Sequence, residues 1–140
     1  MDSPKAHLFG STNGHLLEET IGESLRRTVS KFGARPALIV DHQKIRFDYE
    51  ELYFQTTQAA KSLLYMGIRA GDRVGIWSPN RFEWVVLQFA TARIGAILVN
   101  INPAYRASEL QYALTQSEVK ALFLARGIRQ TLYQPILESI

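Results

Sequence analysis

Two polar segments of the sequence follow apolar stretches, at the position where α/β proteins bind ligands. Ser78-Pro79-Asn80 comes after the apolar run 73–78 and before a helical pattern. Residues 100–105, with the sequence NINPAY, come after the next apolar run and offer two amides, a rigid proline and an aromatic ring. Ligands of open α/β sheets bind beyond the carboxyl ends of strands, where helix N-termini present N–H groups to anions. Both segments are therefore candidate binding segments.

Each segment also has a purely structural interpretation. Ser78-Pro79-Asn80 fits an ordinary turn between a strand and a helix. Tyr105 fits a half-buried aromatic residue of the core, because tyrosine is often found there. Trp77 and Trp84 lie on apolar runs, which favours core packing over the stacking of a ligand.

The spacing of the residues does not indicate a serine hydrolase site, a glycine-rich nucleotide-binding loop or a zinc site. The serines lie outside any G-x-S-x-G pattern, and no phosphate-binding loop or dinucleotide-binding glycine pattern occurs. No pair of histidines has the i, i+4 spacing of a zinc site. The sequence therefore predicts no catalytic residue and no metal site. The histidines concerned are His7, His15 and His42.

The pattern of apolar residues predicts an α/β fold. Capping boxes at Thr20/Glu23 and Asp48/Glu51 begin two helices. Short strands at 36–41 and 44–48, with His42 and Gln43 as the turn between them, predict an antiparallel hairpin. Apolar strands that alternate with helices predict a right-handed parallel βαβ sheet with flanking helices. Its strands are predicted at 73–78, 96–101 and 119–125, and its helices at 81–94, 108–116 and 128–140.

Composition narrows the class of protein further. The chain has 140 residues, of which 46% are hydrophobic, enough for one core of ordinary domain size. The net charge of +3 is scattered over the chain, which argues against a nucleic-acid partner. There is no cysteine, and neither a signal peptide nor a membrane-spanning run is recognisable. We expect a cytoplasmic protein with a flexible lead-in over residues 1–17 and one subdomain over 18–140.

Three motifs together carry a resemblance to a known family. They are G-x-x-x-G-D-R-V at 67–74, P-N at 79–80 and GAILVNINPAY at 95–105. Over about residues 20–135 the chain resembles the N-terminal region of the adenylate-forming acyl-CoA synthetases, especially the medium- and long-chain fatty acyl-CoA ligases. The resemblance implies a parent enzyme that uses ATP and Mg²⁺ to convert a fatty acid or other carboxylic acid into an acyl-adenylate. The acyl group then passes to coenzyme A.

The resemblance also implies which residues face coenzyme A. The loop Asn102-Pro103-Ala104 matches one that borders the coenzyme A nucleotide in short-chain relatives, although those relatives carry an aromatic residue and a glycine there. Arg129 matches a basic residue that faces the phosphates, and it equally fits a solvated helix residue. The family's phosphate loop and catalytic lysine are not found in this sequence, so we expect the chain alone to be inactive and to bind none of these cofactors tightly.

A second class of function stays open at this point. The chain could be a non-catalytic binding or oligomerisation module that retains the family's subdomain. A partial subdomain of a larger adenylate-forming domain leaves a sheet edge and apolar helix faces uncovered, so we expect self-association. A domain that binds NAD is disfavoured, because no strand-to-helix turn carries its glycine pattern.

Overall fold

The structure is a computed structural model that describes residues 10–11, 14 and 16–140. Most of the predicted lead-in 1–17, with His7 and His15, lies outside the described residues. The helices are α1 Ile21–Phe32, α2 Tyr49–Tyr65, α3 Phe82–Ile94, α4 Ala107–Ser117 and α5 Tyr133–Leu137. The strands are β1 Pro36–Val40, β2 Ile45–Asp48, β3 Arg73–Trp77, β4 Ile97–Ile101, β5 Ala121–Leu124, β6 Gly127–Ile128 and β7 Thr131–Leu132.

The centre of the fold is a parallel three-stranded sheet in the order β4-β3-β5. Residues 73–77 of β3 pair in register with 97–101 of β4, and 74–77 of β3 pair with 121–124 of β5. β1 and β2 form a separate antiparallel hairpin. The predicted fold class, a parallel βαβ sheet with flanking helices and a small antiparallel hairpin, is confirmed.

Alternate residues of β3 enter two different cores, because neighbouring side chains of a strand point to opposite faces. Val74 and Ile76 pack with residues of α2 and α3 on one face. Trp77 packs with Leu110 of α4 and Tyr133 of α5 on the other face. Residues 74–77 are all buried, which explains why the β3 sequence is apolar without alternation.

Helix α3 lies between two clusters and therefore has apolar residues on most of its surface. Leu87 and Ala90 pack toward the sheet, whereas Val86 packs with Leu25 of α1 and Leu52 of α2. Arg93, also on α3, is held between the helices and has no carboxylate partner among the residues that the structure describes. Its guanidinium donates to Thr57 Oγ1 at 2.7 Å and to Tyr53 Oη at 3.2 Å. The helical layer is thus joined mainly by apolar packing and hydroxyl contacts.

The local signals at the helix ends act as predicted. Thr20 and Asp48 accept hydrogen bonds from the backbone N–H groups three residues on, and the side chains of Glu23 and Glu51 accept from the cap residues in return. Gly95 ends α3 with φ of 73°, a left-handed conformation that favours glycine. These features fix where the chain enters α1 and α2 and where it leaves α3.

The segment predicted as one helix over 128–140 is different in the structure. Gly127 pairs with Leu132, and Ile128 pairs with Thr131, in a two-stranded antiparallel hairpin that precedes the short helix α5. Pro135 explains the difference. It is the third residue of α5, and its ring would clash with the carbonyl group of Thr131 if the helix began earlier.

Charged side chains join the elements at the amino edge of the sheet, where β3 and β5 begin. The ammonium group of Lys120 donates to Asp72 Oδ2 at 2.7 Å and to the carbonyl of Gly67 at 2.9 Å. The Arg69 backbone N–H donates to the same carboxylate oxygen at 2.7 Å. The hydrogen bond from Lys120 and that from the Arg69 N–H lower the pKa of Asp72. Asp72 therefore stabilises the fold only while it is ionised.

We expect Asp72→Asn to lower the free energy of unfolding at pH 7, with a difference from the wild type that shrinks in acid. A lowered folded-state pKa gives stability that is complete above the ordinary pKa of 3.8 and is lost as the pH falls through the folded-state value. Urea unfolding from pH 7 to pH 3 measures the difference. Asp41→Asn is the control, because the Asp41 side chain is 93% exposed. A difference that is constant across this pH range would contradict the prediction.

Candidate functional site

Both binding segments predicted from the sequence lie at the carboxyl edge of the sheet. Because β3, β4 and β5 are parallel, their ends at Trp77, Ile101 and Leu124 meet at the same edge. Ser78-Pro79-Asn80 leaves this edge toward α3, and residues 102–105 leave it toward α4. The topology thus brings together two segments that are more than twenty positions apart in sequence.

Two buried aromatic residues lie against the loop after β4. Trp77 and Tyr133 both have 0% exposure, and their rings stack with centroids 3.8 Å apart and planes 13° from parallel. The indole N–H of Trp77 donates to the carbonyl oxygen of Asn102 at 3.0 Å. The hydroxyl of Tyr133 donates to the carbonyl oxygen of Pro103 at 2.9 Å, and burial raises the pKa of this phenol. The polar atoms of both rings are thereby satisfied inside the core.

The loop itself forms a tight turn. The Ala104 N–H donates to Asn102 Oδ1 at 2.9 Å, and the Tyr105 N–H donates to the Asn102 carbonyl at 3.1 Å. Asn102 and Ala104 are exposed, and Pro103 is half-buried. Tyr105 is also half-buried and packs against the cluster of Trp77. The structural interpretation of Tyr105 therefore fits, and the outward-facing residues are Asn102 and Ala104.

Arg129 lies in the turn between β6 and β7, and not in a helix. It is exposed and has φ of 52°. No hydrogen bond or ion pair of Arg129 occurs within the part of the chain that the structure describes. Ile128 and Tyr133, on either side of it in sequence, pack into the cluster that supports the loop. This cluster therefore connects the turn that carries Arg129 with residues 102–104.

The N-terminus of α3 is already occupied by protein groups. The Phe82 N–H donates to Gln43 Oε1 at 2.8 Å, and the Ser78 hydroxyl donates to the carbonyl of Pro79 at 2.8 Å. Arg81 pairs with Glu83 at 2.8 Å. These contacts favour the structural interpretation of Ser78-Pro79-Asn80. Sequence reasoning missed Gln43, because the contact joins residues 39 positions apart and has no local signal.

A cavity of about 490 Å³ lies between α3 and the ends of β3 and β5. Burial opposes ionisation of Glu83 at its rim, but hydrogen bonds from Arg81 and Gln43 outweigh burial and lower the pKa of this carboxyl. Sequence analysis did not find the cavity, because its walls come from elements that are distant in sequence. The apolar side chains of its walls are those of Ala59, Ile76, Phe82, Val86, Leu87, Phe123, Leu124 and Ala125.

Within 10–11, 14 and 16–140, no three or more His, Cys, Asp or Glu side chains are grouped so that they could hold a metal ion. Over the same residues, no helix has both the length and the apolar character needed to span a bilayer.

Both tryptophans lie in the core, as the sequence predicts. Trp84 is partly buried and packs against the cluster of α2 and α3, and Trp77 is fully buried.

Comparison with known proteins identifies the family. A profile described as AMP-binding enzyme matches residues 25–139. The chain belongs to the AMP-binding enzyme family. It is 40% identical over 135 residues to the mitochondrial medium-chain acyl-CoA ligase ACSF2 of Rattus norvegicus, covering 96% of this chain and 22% of that protein. It is 42% identical over 125 residues to the putative acyl-CoA synthetase YngI of Bacillus subtilis, covering 89% of this chain and 23% of that protein.

Solved structures of AMP-binding enzymes share the fold. The N-terminal domain of FACL13 from Mycobacterium tuberculosis superimposes with a TM-score of 0.80 at 26% identity, covering 87% of this chain and 30% of that chain. A fatty acyl CoA synthetase of the same organism gives 0.79 at 26% identity, covering 86% and 23%. The chain spans about a fifth of the length of the curated relatives it matches. The resemblance read from the sequence motifs is therefore confirmed.

We expect Tyr133→Phe to lower the free energy of unfolding by about 1 to 3 kcal/mol, because it leaves the Pro103 carbonyl without its donor. The stacked ring stays in place, so the change isolates the hydroxyl. Tyr112→Phe is the matched control: Tyr112 is exposed on α4, and we expect a change within about 0.5 kcal/mol. Urea unfolding of the three proteins measures both effects, and equal stabilities for Tyr133→Phe and the wild type would contradict the prediction.

Proposed function

We propose that this chain is the N-terminal subdomain of an ATP-dependent fatty acyl-CoA ligase. Such an enzyme joins a fatty acid to AMP with release of pyrophosphate, and then transfers the acyl group to the thiol of coenzyme A with release of AMP. The observation that carries the proposal is the supported loop 102–105 at the carboxyl edge of the sheet, in a chain similar to an acyl-CoA ligase over 96% of its length.

In this enzyme, the chain would form the wall that faces coenzyme A. The exposed Asn102-Pro103-Ala104 loop offers hydrogen-bonding groups at the edge where open α/β sheets bind ligands. The exposed guanidinium of Arg129 has no protein partner within the described residues, and guanidinium groups pair with phosphate through two parallel hydrogen bonds. Their donor chemistry fits the phosphate-rich nucleotide of coenzyme A. Trp77 and Tyr133 would fix the loop from beneath.

The proposed reaction also needs ATP and Mg²⁺, and we propose that residues outside these 140 bind them. Within the described residues, no three or more His, Cys, Asp or Glu side chains are grouped so that they could hold a metal ion. The sequence has no phosphate-binding loop for ATP. We therefore propose that the 140 residues alone bind ATP immeasurably weakly, bind coenzyme A at most weakly, and form no acyl-CoA.

We expect the protein expressed from its full reading frame to form acyl-CoA from a fatty acid, ATP and coenzyme A, whereas the 140-residue chain forms none. Thioester formation is measured by chromatography, and binding of ATP and coenzyme A to the chain is measured by calorimetry. A reading frame that continues into a T-S-G-T-T-G-x-P-K-G-like loop supports the ligase. A frame that stops at Ile140, or a full product that forms no acyl-CoA, would favour a non-catalytic module instead.

A second proposal concerns self-association of the chain. In the described residues, β4 and β5 each have a free edge, because the sheet order is β4-β3-β5. Ile97 on β4 is 52% exposed, Leu124 on β5 is 40% exposed, and Leu132 on β7 is 50% exposed. Unpaired strand edges with exposed apolar side chains are sites where another chain can pair. We propose that copies of this chain associate through these edges, the feature that favours a binding or oligomerisation module.

We expect light scattering of the 140-residue chain to give a mass above 15.9 kDa that rises with concentration. Leu124→Lys should shift the chain toward the monomer, because a charged side chain at a free strand edge opposes pairing. Tyr112→Lys, at an exposed position of α4, is the control and should leave the mass unchanged. A monodisperse monomer at high concentration would contradict the proposal.

Location and other partners stay predictions from the sequence. The scattered charge argues against nucleic acid as a partner. The cytoplasmic location is not settled by the relatives, because the rat ligase is mitochondrial by name. Cell fractionation of the native protein decides between the two compartments.

A further inference from the structure

The side chains of Trp77 and Tyr133 donate hydrogen bonds to consecutive carbonyl groups of one loop. The indole N–H donates to the carbonyl of Asn102, and the phenol donates to the carbonyl of Pro103. Both donors are fully buried, so the two carbonyl oxygens face the protein. Pro103 contributes no N–H group. The backbone acceptors of the first two loop residues are thus taken by the protein, which leaves side chains to face a ligand.

The side-chain amide of Asn102 has a fixed orientation as a result. Its Oδ1 accepts from the Ala104 N–H at 2.9 Å, and only the oxygen of a carboxamide can accept from an N–H group. The Nδ2 group must therefore point the other way. None of the described residues accepts a hydrogen bond from Nδ2, and Asn102 is exposed. The loop therefore presents the two N–H donors of this NH₂ group outward.

Tyr133 also links this loop to the turn that carries Arg129. Its backbone N–H donates to the carbonyl of Arg126 at 3.1 Å, which closes the β6–β7 hairpin. Its ring stacks on Trp77 at the end of β3. One residue thus contacts the sheet, the loop and the hairpin. A change at Tyr133 alters how both outward donors are held.

We infer that Trp77 and Tyr133 are positioning residues that aim the Asn102 carboxamide at a phosphate oxygen of coenzyme A. The inference rests on the proposed function and adds to it a donor and the two residues that hold it. A phosphate oxygen accepts hydrogen bonds and is negatively charged, so an N–H₂ group suits it and a carboxylate repels it. Asn102 and Arg129 would then provide one neutral and one charged donor to the same nucleotide.

The substitution Asn102→Asp removes the NH₂ donor of residue 102 and keeps the side-chain oxygen that accepts a hydrogen bond in the turn. The aspartate still accepts from the Ala104 N–H, so the loop keeps its shape, but the N–H₂ group is replaced by a charged oxygen. In the full-length protein, we expect the KM for coenzyme A to rise about tenfold, as for the loss of one hydrogen bond to a charged group. The fatty-acid-dependent exchange of pyrophosphate with ATP should be unchanged, because this step takes place before coenzyme A reacts.

The substitution Tyr133→Phe tests the support of the loop and leaves Asn102, the proposed ligand contact, unchanged. Tyr112→Phe is the matched control. In the 140-residue chain, we expect the Ala104 and Tyr105 amides to exchange about tenfold faster in Tyr133→Phe, because the loop loses one anchoring hydrogen bond. Asn102→Asp and the control should exchange as the wild type does. In the full-length protein, Tyr133→Phe should also raise the KM for coenzyme A while pyrophosphate exchange is unchanged.

The two measurements separate this inference from the proposed function. A full-length wild type that forms no acyl-CoA contradicts the proposed function, and hydrogen exchange still decides whether Tyr133 holds the loop. An active wild type with an unchanged KM for coenzyme A in Asn102→Asp overturns the donor role alone. Unchanged amide exchange in Tyr133→Phe, with circular dichroism showing a native fold, overturns the positioning role.

Discussion

The rest of the structure depends on the position of β3 between two parallel neighbours. A strand that pairs on both sides and is covered on both faces must be apolar along its length, and residues 74–77 are. Parallel pairing requires crossover connections, so α3 and α4 must leave from the carboxyl edge and return to the amino edge. The buried end of β3 then needs a hydrogen-bond partner for the indole of Trp77. The loop after β4 provides it.

This arrangement gives the two edges of the sheet different properties. At the amino edge, Asp72 and Lys120 join the starts of β3 and β5 through charged contacts. At the carboxyl edge, Trp77 and Tyr133 hold a loop through uncharged groups under cover of the core. The first edge contributes to stability, and the second presents exposed polar groups from a rigid support. Binding residues in α/β proteins are commonly loop residues held in this way.

Much of the fold could be predicted from the sequence, because its signals are local. The capping boxes at Thr20 and Asp48 and the apolar runs of the three parallel strands each predict their element without knowledge of the rest. The apolar pattern over 128–140 predicts one helix, and this prediction is wrong, because the ring of Pro135 prevents a helix from beginning as early as residue 128. The loop 102–105 could be predicted as a candidate site from its place after a strand.

What supports the candidate site could not be predicted, because it consists of contacts between distant residues. Trp77 and Asn102 are 25 positions apart, and Tyr133 and Pro103 are 30 apart. No pattern of spacing encodes such pairs in one sequence. The tryptophan was expected in the core, as it is, but its donation to the loop follows only from the fold. The sequence therefore indicated where a ligand could bind and not what holds that place in shape.

The supports of the loop after β4 carry no charge. An indole, a carboxamide and a phenol whose pKa is raised by burial all stay neutral through the physiological pH range. Dissolved salt screens exposed charges and leaves buried neutral hydrogen bonds nearly untouched. The conformation of the loop should thus not change with ionic strength. The proposed contact between the Arg129 guanidinium and a phosphate group would, by contrast, weaken as the salt concentration rises.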